Sequence, residues 1–185
     1  MAMLLAEPKL ITGDELLAMS DMGPCELIDG RIISLTPPGS EHGVIEAILT
    51  WFLQNFVIPR KLGWVLSGEA GIYIRRHPDR VRGMDIAFIS YQRQPILPKG
   101  YLTIAPELII EIVSPSDRWR DVEDKIEEYF AIGVTRVWVV DPESQTVRIY
   151  QSALAYVKLN RRDTVRGEGI LEDFLLPLEQ LFVEA

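Results

Sequence analysis

A carboxylate stands in the middle of the most strand-like segment of this chain. Leu108-Ile109-Ile110-Glu111-Ile112-Val113 is an apolar, largely β-branched run interrupted only by Glu111. An ionised carboxylate inside such a run costs several kcal/mol unless a metal, a cation or a hydrogen-bond donor meets it. Side chains alternate across a strand, so Ile109, Glu111 and Val113 share one face and Leu108, Ile110 and Ile112 the other. A second short apolar segment, Gly83-Met84-Asp85-Ile86-Ala87-Phe88-Ile89, carries Asp85 and is expected beside the first. Lys125 follows on a helical stretch that opens after the turn Ser114-Pro115-Ser116-Asp117.

The rest of the chain supplies an α/β frame for these segments. Thr12-Gly13-Asp14-Glu15 reads as a capping box that opens a short helix through Ala18. Asp29-Gly30 joins Cys25–Ile28 to Arg31–Leu35 as a β-hairpin. Val44, Ile45, Ile48, Leu49, Phe52, Leu53 and Phe56 recur at helical spacing and predict one long amphipathic helix from His42 to Phe56. Strands are expected at Trp64–Leu66, at Gly71–Ile74 and from Gly83 to about Ser90. The helix from about Trp119 ends near Ile132 at Gly133. Val134–Val140 and Val147–Tyr150 then read as a strand and its hairpin partner around Asp141-Pro142-Glu143. A short strand near Ile170 and a terminal helix over Leu178–Phe182 complete the expectation. No repeat or long linker divides the chain, so one domain over residues 1–185 is expected.

Composition narrows the chemistry. Two histidines and one cysteine, Cys25, exclude an internal disulfide and a Cys/His zinc site. Met1–Glu7 lacks the basic start of a signal peptide, and no apolar run is long enough for a membrane span, so a cytoplasmic setting is expected. The net charge of −8 argues against indiscriminate nucleic-acid binding. Residues 60–99 nevertheless hold eight Lys/Arg against three Asp/Glu. That segment could face a phosphate backbone or be a solvated hairpin.

Two carboxylates on strands and an ammonium on the next helix are the parts of a divalent-metal phosphodiesterase centre. Hard cations such as Mg²⁺ or Mn²⁺ take oxygen ligands and keep waters for chemistry. Lys125 and Tyr129 are i,i+4 neighbours beside an expected buried stripe of Val122, Ile126 and Phe130. Each residue also has a plainer explanation: Asp85 could pair with Arg82, Lys125 could be a surface lysine, and His42 could serve the start of its helix. Glu107 and Asp117 read as structural residues flanking loops. Trp51, Phe174 and Phe182 could line a dimer interface or the core.

The ordered set resembles the Uma-type family of restriction-endonuclease-like proteins in the PD-(D/E)XK nuclease superfamily. It runs from Glu26-Leu27-Ile28-Asp29-Gly30 and Pro37-Pro38…His42 through Met84-Asp85-Ile86-Ala87-Phe88 and Ala105–Ser116. It closes with Asp121…Lys125…Tyr129 and Gly133-Val134…Trp138–Pro142. The resemblance implies a restriction-endonuclease-like mixed β-sheet flanked by helices, with an extra N-terminal hairpin. It implies Mg²⁺-dependent DNA cleavage, with Mn²⁺ as an alternative ion, and a homodimer is plausible for an enzyme that cuts both strands. Asp85 and Glu111 correspond to the metal-binding acids. The superfamily lysine normally lies two residues after the glutamate, where this chain has Val113, and its displaced counterpart is Lys125. Glu26, His42 and Tyr129 match supporting positions. Met84 replaces the usual proline before the aspartate, a change that removes no ligand. The alternative is a catalytically silent module of this fold that binds nucleic acid or protein.

Overall fold

The computed structural model describes residues 9–19 and 22–182. Met1–Glu7, expected not to be a signal peptide, lies outside them. Helix α1 (Gly13–Ala18) opens on the expected capping box: Glu15 N–H donates to the Thr12 hydroxyl, and Thr12 N–H donates to the Glu15 carboxylate. Strands β1 (Cys25–Ile28) and β2 (Arg31–Ser34) form the hairpin, with Asp29 and Gly30 at φ 53° and 76°. Helix α2 (Ser40–Arg60) is longer than expected at both ends. It carries Pro59 in its last turn and stops where Lys61 adopts the left-handed conformation. Its buried face is Ile45, Leu49, Leu53 and Val57; Val44, counted in the apolar recurrence, points outward.

Strand β3 (Gly63–Arg75) is continuous where the sequence suggests two strands. The interruption at Gly68-Glu69 is a β-bulge with both residues at positive φ. Strand β4 (Arg80–Ser90) carries Asp85, and β5 (Leu108–Ile112) carries Glu111. Helix α3 (Trp119–Ala131) leads to β6 (Arg136–Asp141) and the hairpin partner β7 (Thr146–Ser152). On α3 the buried stripe is Val122, Ile126 and Tyr129, while Phe130 is half-buried. Tyr129 can sit deep because its hydroxyl finds partners there.

The last segment departs from expectation. Strand β8 (Ala155–Asn160) was not legible, since nearly all its residues are exposed and carry no inward pattern. Strands β9 (Thr164–Arg166) and β10 (Leu175–Pro177) pair as a separate ribbon. Ile170 lies in a 3-10 turn, because Gly169 at φ 60° folds the chain back between β9 and β10. The expected terminal helix is a single 3-10 turn, Leu178–Gln180, which seats Leu181 and Phe182 in the core. Phe174 and Phe182 are thus core residues, and Trp51 alone of that trio faces outward.

Among the described residues, eight strands make one mixed sheet in the order β2-β1-β4-β5-β6-β7-β8, with β3 also on β4. β5 and β6 run parallel, joined by α3; the other pairs are antiparallel. α2 and the C-terminal segment cover one face over Ile86, Phe88, Ile110 and Trp138. α3 covers the other over Ile109, Val137 and Val139. This is the expected α/β architecture, hairpin included.

One topological detail positions everything that follows. β3 pairs with β4 along nearly its whole length, so β1 and β5 must share β4's other edge. β1 touches it at Leu27↔Val81, and β5 from Ile86↔Ile110 onward. The sheet therefore forks between Val81 and Ile86, and Gly83 and Asp85 lie in the fork.

Candidate active site

The β4–β5 ladder ends at Ile86↔Ile110, so the next residues in register are Asp85 and Glu111. Past that point the strands diverge, and a side chain closes the gap: Ile112 N–H donates to Asp85 Oδ2 at 2.6 Å. His42, in the first turn of α2, places Nε2 at 3.3 Å from the same oxygen. Glu111 accepts from Lys125 Nζ at 3.0 Å and from the Tyr129 hydroxyl at 2.8 Å, both on α3. These two donors are why a carboxylate is tolerated inside this strand.

The fork would leave the backbone of Gly83 without a ladder partner, and side chains take its place. Gly83 N–H donates to Glu26 Oε1 at 3.2 Å, while its carbonyl accepts from Lys125 and Tyr129 at 3.4 and 3.3 Å. Glu26, on β1, also lies 3.2 Å from Lys125 Nζ. Hairpin, central strand and α3 therefore meet at one point. The structure brings together Glu26, His42, Asp85, Glu111, Lys125 and Tyr129. Asp85 does not pair with Arg82, which instead binds Glu26 and Glu128 at 2.7 Å each. Glu107 and Asp117 hold loops: Glu107 accepts from Ser90 N–H, and Asp117 from Ser114 N–H.

Glu69 is a member that sequence reasoning missed. The β3 bulge aims its carboxylate across β4 at Gly83, where a Cβ would meet Glu69 Oε2 at 2.5 Å. A glycine inside β4, and Gly68-Glu69 interrupting an apolar strand, were the signals available.

Charge is crowded here. Burial pushes the Glu111 carboxyl up to about 7, and nearby Asp85 adds to it, while Lys125 and Tyr129 pull the other way. The Glu69 carboxyl is likewise pushed up to about 7, by burial first and by Asp85 next. Burial opposes the charge on Lys125, but Glu111 and Glu26 outweigh it and hold the ammonium protonated. The hydrogen bond to Asp85 raises the His42 pKa. The Tyr129 phenol is held well above its ordinary value by burial and by Glu111.

Glu26, His42, Glu69, Asp85, Glu111 and Lys125 line a cleft of about 700 Å³ between the β1–β2 hairpin and the starts of α2 and α3, with Tyr129 buried behind them. Its carboxylates outnumber its lysine, and a donor set made of oxygens suits a hard divalent cation. Among the described residues no three His, Cys, Asp or Glu side chains form a ready cage. Mg²⁺ does not require one, since it binds through one or two carboxylates and keeps water or substrate on its other positions. Asp85 and Glu111 fit that pattern.

Most of the basic residues in the stretch 60–99 are held in ion pairs. Arg75 and Arg80 bind Asp29, Arg80 and Arg82 bind Glu128, Arg76 binds Asp79, and Arg93 binds Glu107. No helix among the described residues is long and apolar enough to cross a membrane.

Residues 14–179 match the family described as "Uma2: Putative restriction endonuclease". A solved structure, "a putative nuclease belonging to DUF820 from Anabaena variabilis ATCC 29413", superposes with a TM-score of 0.78 at 25% identity. The match covers 93% of this chain and 97% of that one. No curated protein matches the sequence.

Proposed function

We propose, since the chain belongs to the Uma2 restriction-endonuclease family, that it is a metal-dependent DNA endonuclease. The observation that carries this reading is Asp85 opposite Glu111 at the fork, with the Lys125 ammonium on Glu111. Asp85 and Glu111 would hold Mg²⁺, with Mn²⁺ able to replace it, and the bound ion supplies Lewis acidity toward a phosphodiester.

The chain's own residues do the rest. His42 and the Ile112 N–H fix the Asp85 carboxylate. Tyr129 holds one oxygen of Glu111, and Glu26 steadies Lys125 from the opposite side. Lys125, kept charged, stabilises negative charge that develops on the phosphate oxygens. The cleft mouth, flanked by hairpin and helix termini, admits the substrate strand. A cytoplasmic setting suits the single cysteine and the dependence on Mg²⁺.

Cleavage of supercoiled plasmid and of branched DNA tests the reading, with Mg²⁺, Mn²⁺ or EDTA present. Nicking by wild type with either metal is expected, and none by Asp85→Ala or Lys125→Ala. The paired arginines of residues 60–99 favour one rival, a catalytically silent module of the same fold. Absence of both cleavage and calorimetric Mg²⁺ or Mn²⁺ binding would select that rival.

A further inference from the structure

Arg82 lines the cleft, yet its hydrogen bonds go to neither Asp85 nor Glu111. Its half-buried side chain holds two other carboxylates at once: Nη1 donates to Glu26 Oε2 and Nε to Glu128 Oε2, both at 2.7 Å. Glu26 Oε1 accepts from Gly83 N–H and lies 3.2 Å from Lys125 Nζ. Glu128 follows Lys125 by one helical turn on α3. The contacts therefore close into a ring that runs from Lys125 to Glu26, Arg82 and Glu128, and back to Lys125 through the helix backbone. Arg80 braces it from outside by binding Glu128 Oε1 and both oxygens of Asp29.

We infer that Arg82 and Glu128 are positioning residues for Lys125, acting through Glu26. What Lys125 does rests on the endonuclease reading; where it stands rests on these contacts alone. A lysine stem has many rotamers, so an ammonium held from one side by Glu111 would wander. Glu26 opposes Glu111, but only while its own carboxylate is prevented from turning. Arg82 occupies Oε2 and leaves Oε1 for the ammonium and for Gly83. Without Arg82, Oε2 becomes a second acceptor beside Lys125 and draws the ammonium off Glu111 toward the hairpin. A guanidinium suits this task because Nε and Nη1 are fixed parts of one planar fork. A lysine at position 82 would be a point charge on a flexible stem, able to serve Glu26 or Glu128 but not both in this geometry.

Two readouts separate this role from that of a purely structural ion-pair cluster, and the first needs no catalysis. Lys9, Lys61, Lys99 and Lys158 are exposed, so their ammonium protons exchange freely with water, whereas Lys125 is held between two carboxylates. A proton–nitrogen correlation spectrum of the lysine ammonium groups in metal-free wild type should show one persistent signal, absent from Lys125→Ala. That signal should weaken in Arg82→Lys and Glu128→Ala and vanish in Arg82→Met, with folding checked by circular dichroism. Should Arg82→Met fail to fold, Arg82→Lys carries the comparison, since it keeps the charge. The second readout is DNA nicking with Mg²⁺. Arg82→Lys should lower kcat about tenfold or more, with KM and calorimetric Mg²⁺ affinity unchanged.

A wild type that does not nick DNA but whose Lys125 signal depends on Arg82 would support the ring while defeating the endonuclease reading. A Lys125 signal untouched by Arg82→Lys and Arg82→Met would overturn the inference. So would a raised KM with unchanged kcat, which would set Arg82 against the substrate itself.

Discussion

Glu111 keeps its proton longer in the folded protein than in the unfolded chain, and that difference has a sign that can be measured. Its carboxyl moves from 4.5 to about 7 on folding without metal. Its contribution to stability is therefore complete below about pH 4.5 and is lost as pH rises through about 7. Urea midpoints of metal-free wild type should lose ground to those of Glu111→Gln between about pH 5 and pH 8. A gap between the two proteins that stays constant with pH would rule out burial and Asp85 as the cause. Tyr129→Phe removes a 2.8 Å hydrogen bond to the same buried carboxylate and should cost about 1–3 kcal/mol in urea unfolding. A cost near zero would mean that Lys125 alone satisfies Glu111. Asp85 and Glu111 were legible as single residues because each interrupts an apolar run, whereas Lys125 sits among other charged residues and stood out only through the ordered set around it. Glu69 was not legible, because its place depends on a bulge that shifts register and has no period of its own.

At the scale of elements, the bulge in β3 and the glycine in β4 act as a pair. Gly83→Ala would put a methyl against the end of a flexible glutamate, so the fold should accept it within about 1 kcal/mol. Glu69 would be pushed away from Asp85, and calorimetric Mg²⁺ affinity should fall as negative charge leaves the cleft. Unchanged affinity would assign Glu69 no part in attracting the ion. The same scale explains what the sequence concealed. α1, the hairpin and α3 carry explicit start and stop chemistry: Thr12 with Glu15, Asp29-Gly30, and Gly133 at φ 100°. β8 lies at the sheet edge, where exposed side chains erase alternation. The stretch around Ile170 is apolar because it packs on the core as a turn, and apolarity alone cannot distinguish that from a strand.

For the whole molecule, charge is organised inward. The chain carries −8 overall, and the arginines of its one basic stretch are largely engaged with Asp29, Asp79, Glu107 and Glu128. DNA binding, followed by fluorescence anisotropy, should therefore be weak without a divalent ion and should fall only gently with added NaCl. A steep salt dependence in EDTA would reveal a basic face that these ion pairs do not leave open. The forked sheet has a further consequence. The β1–β2 hairpin is tied to the rest by the Leu27↔Val81 pair, two backbone bonds at Gly30 (to Asp79 and from Ile11), the Gly83 N–H bond to Glu26, a small apolar cluster and the ion pairs of Glu26 and Asp29. Its amide protons should exchange with deuterium well ahead of those of β4, β5 and β6, and faster still in salt that screens the exposed pairs. Every such opening lifts Glu26 off Lys125, so the lifetime of the assembled centre is the lifetime of a closed hairpin.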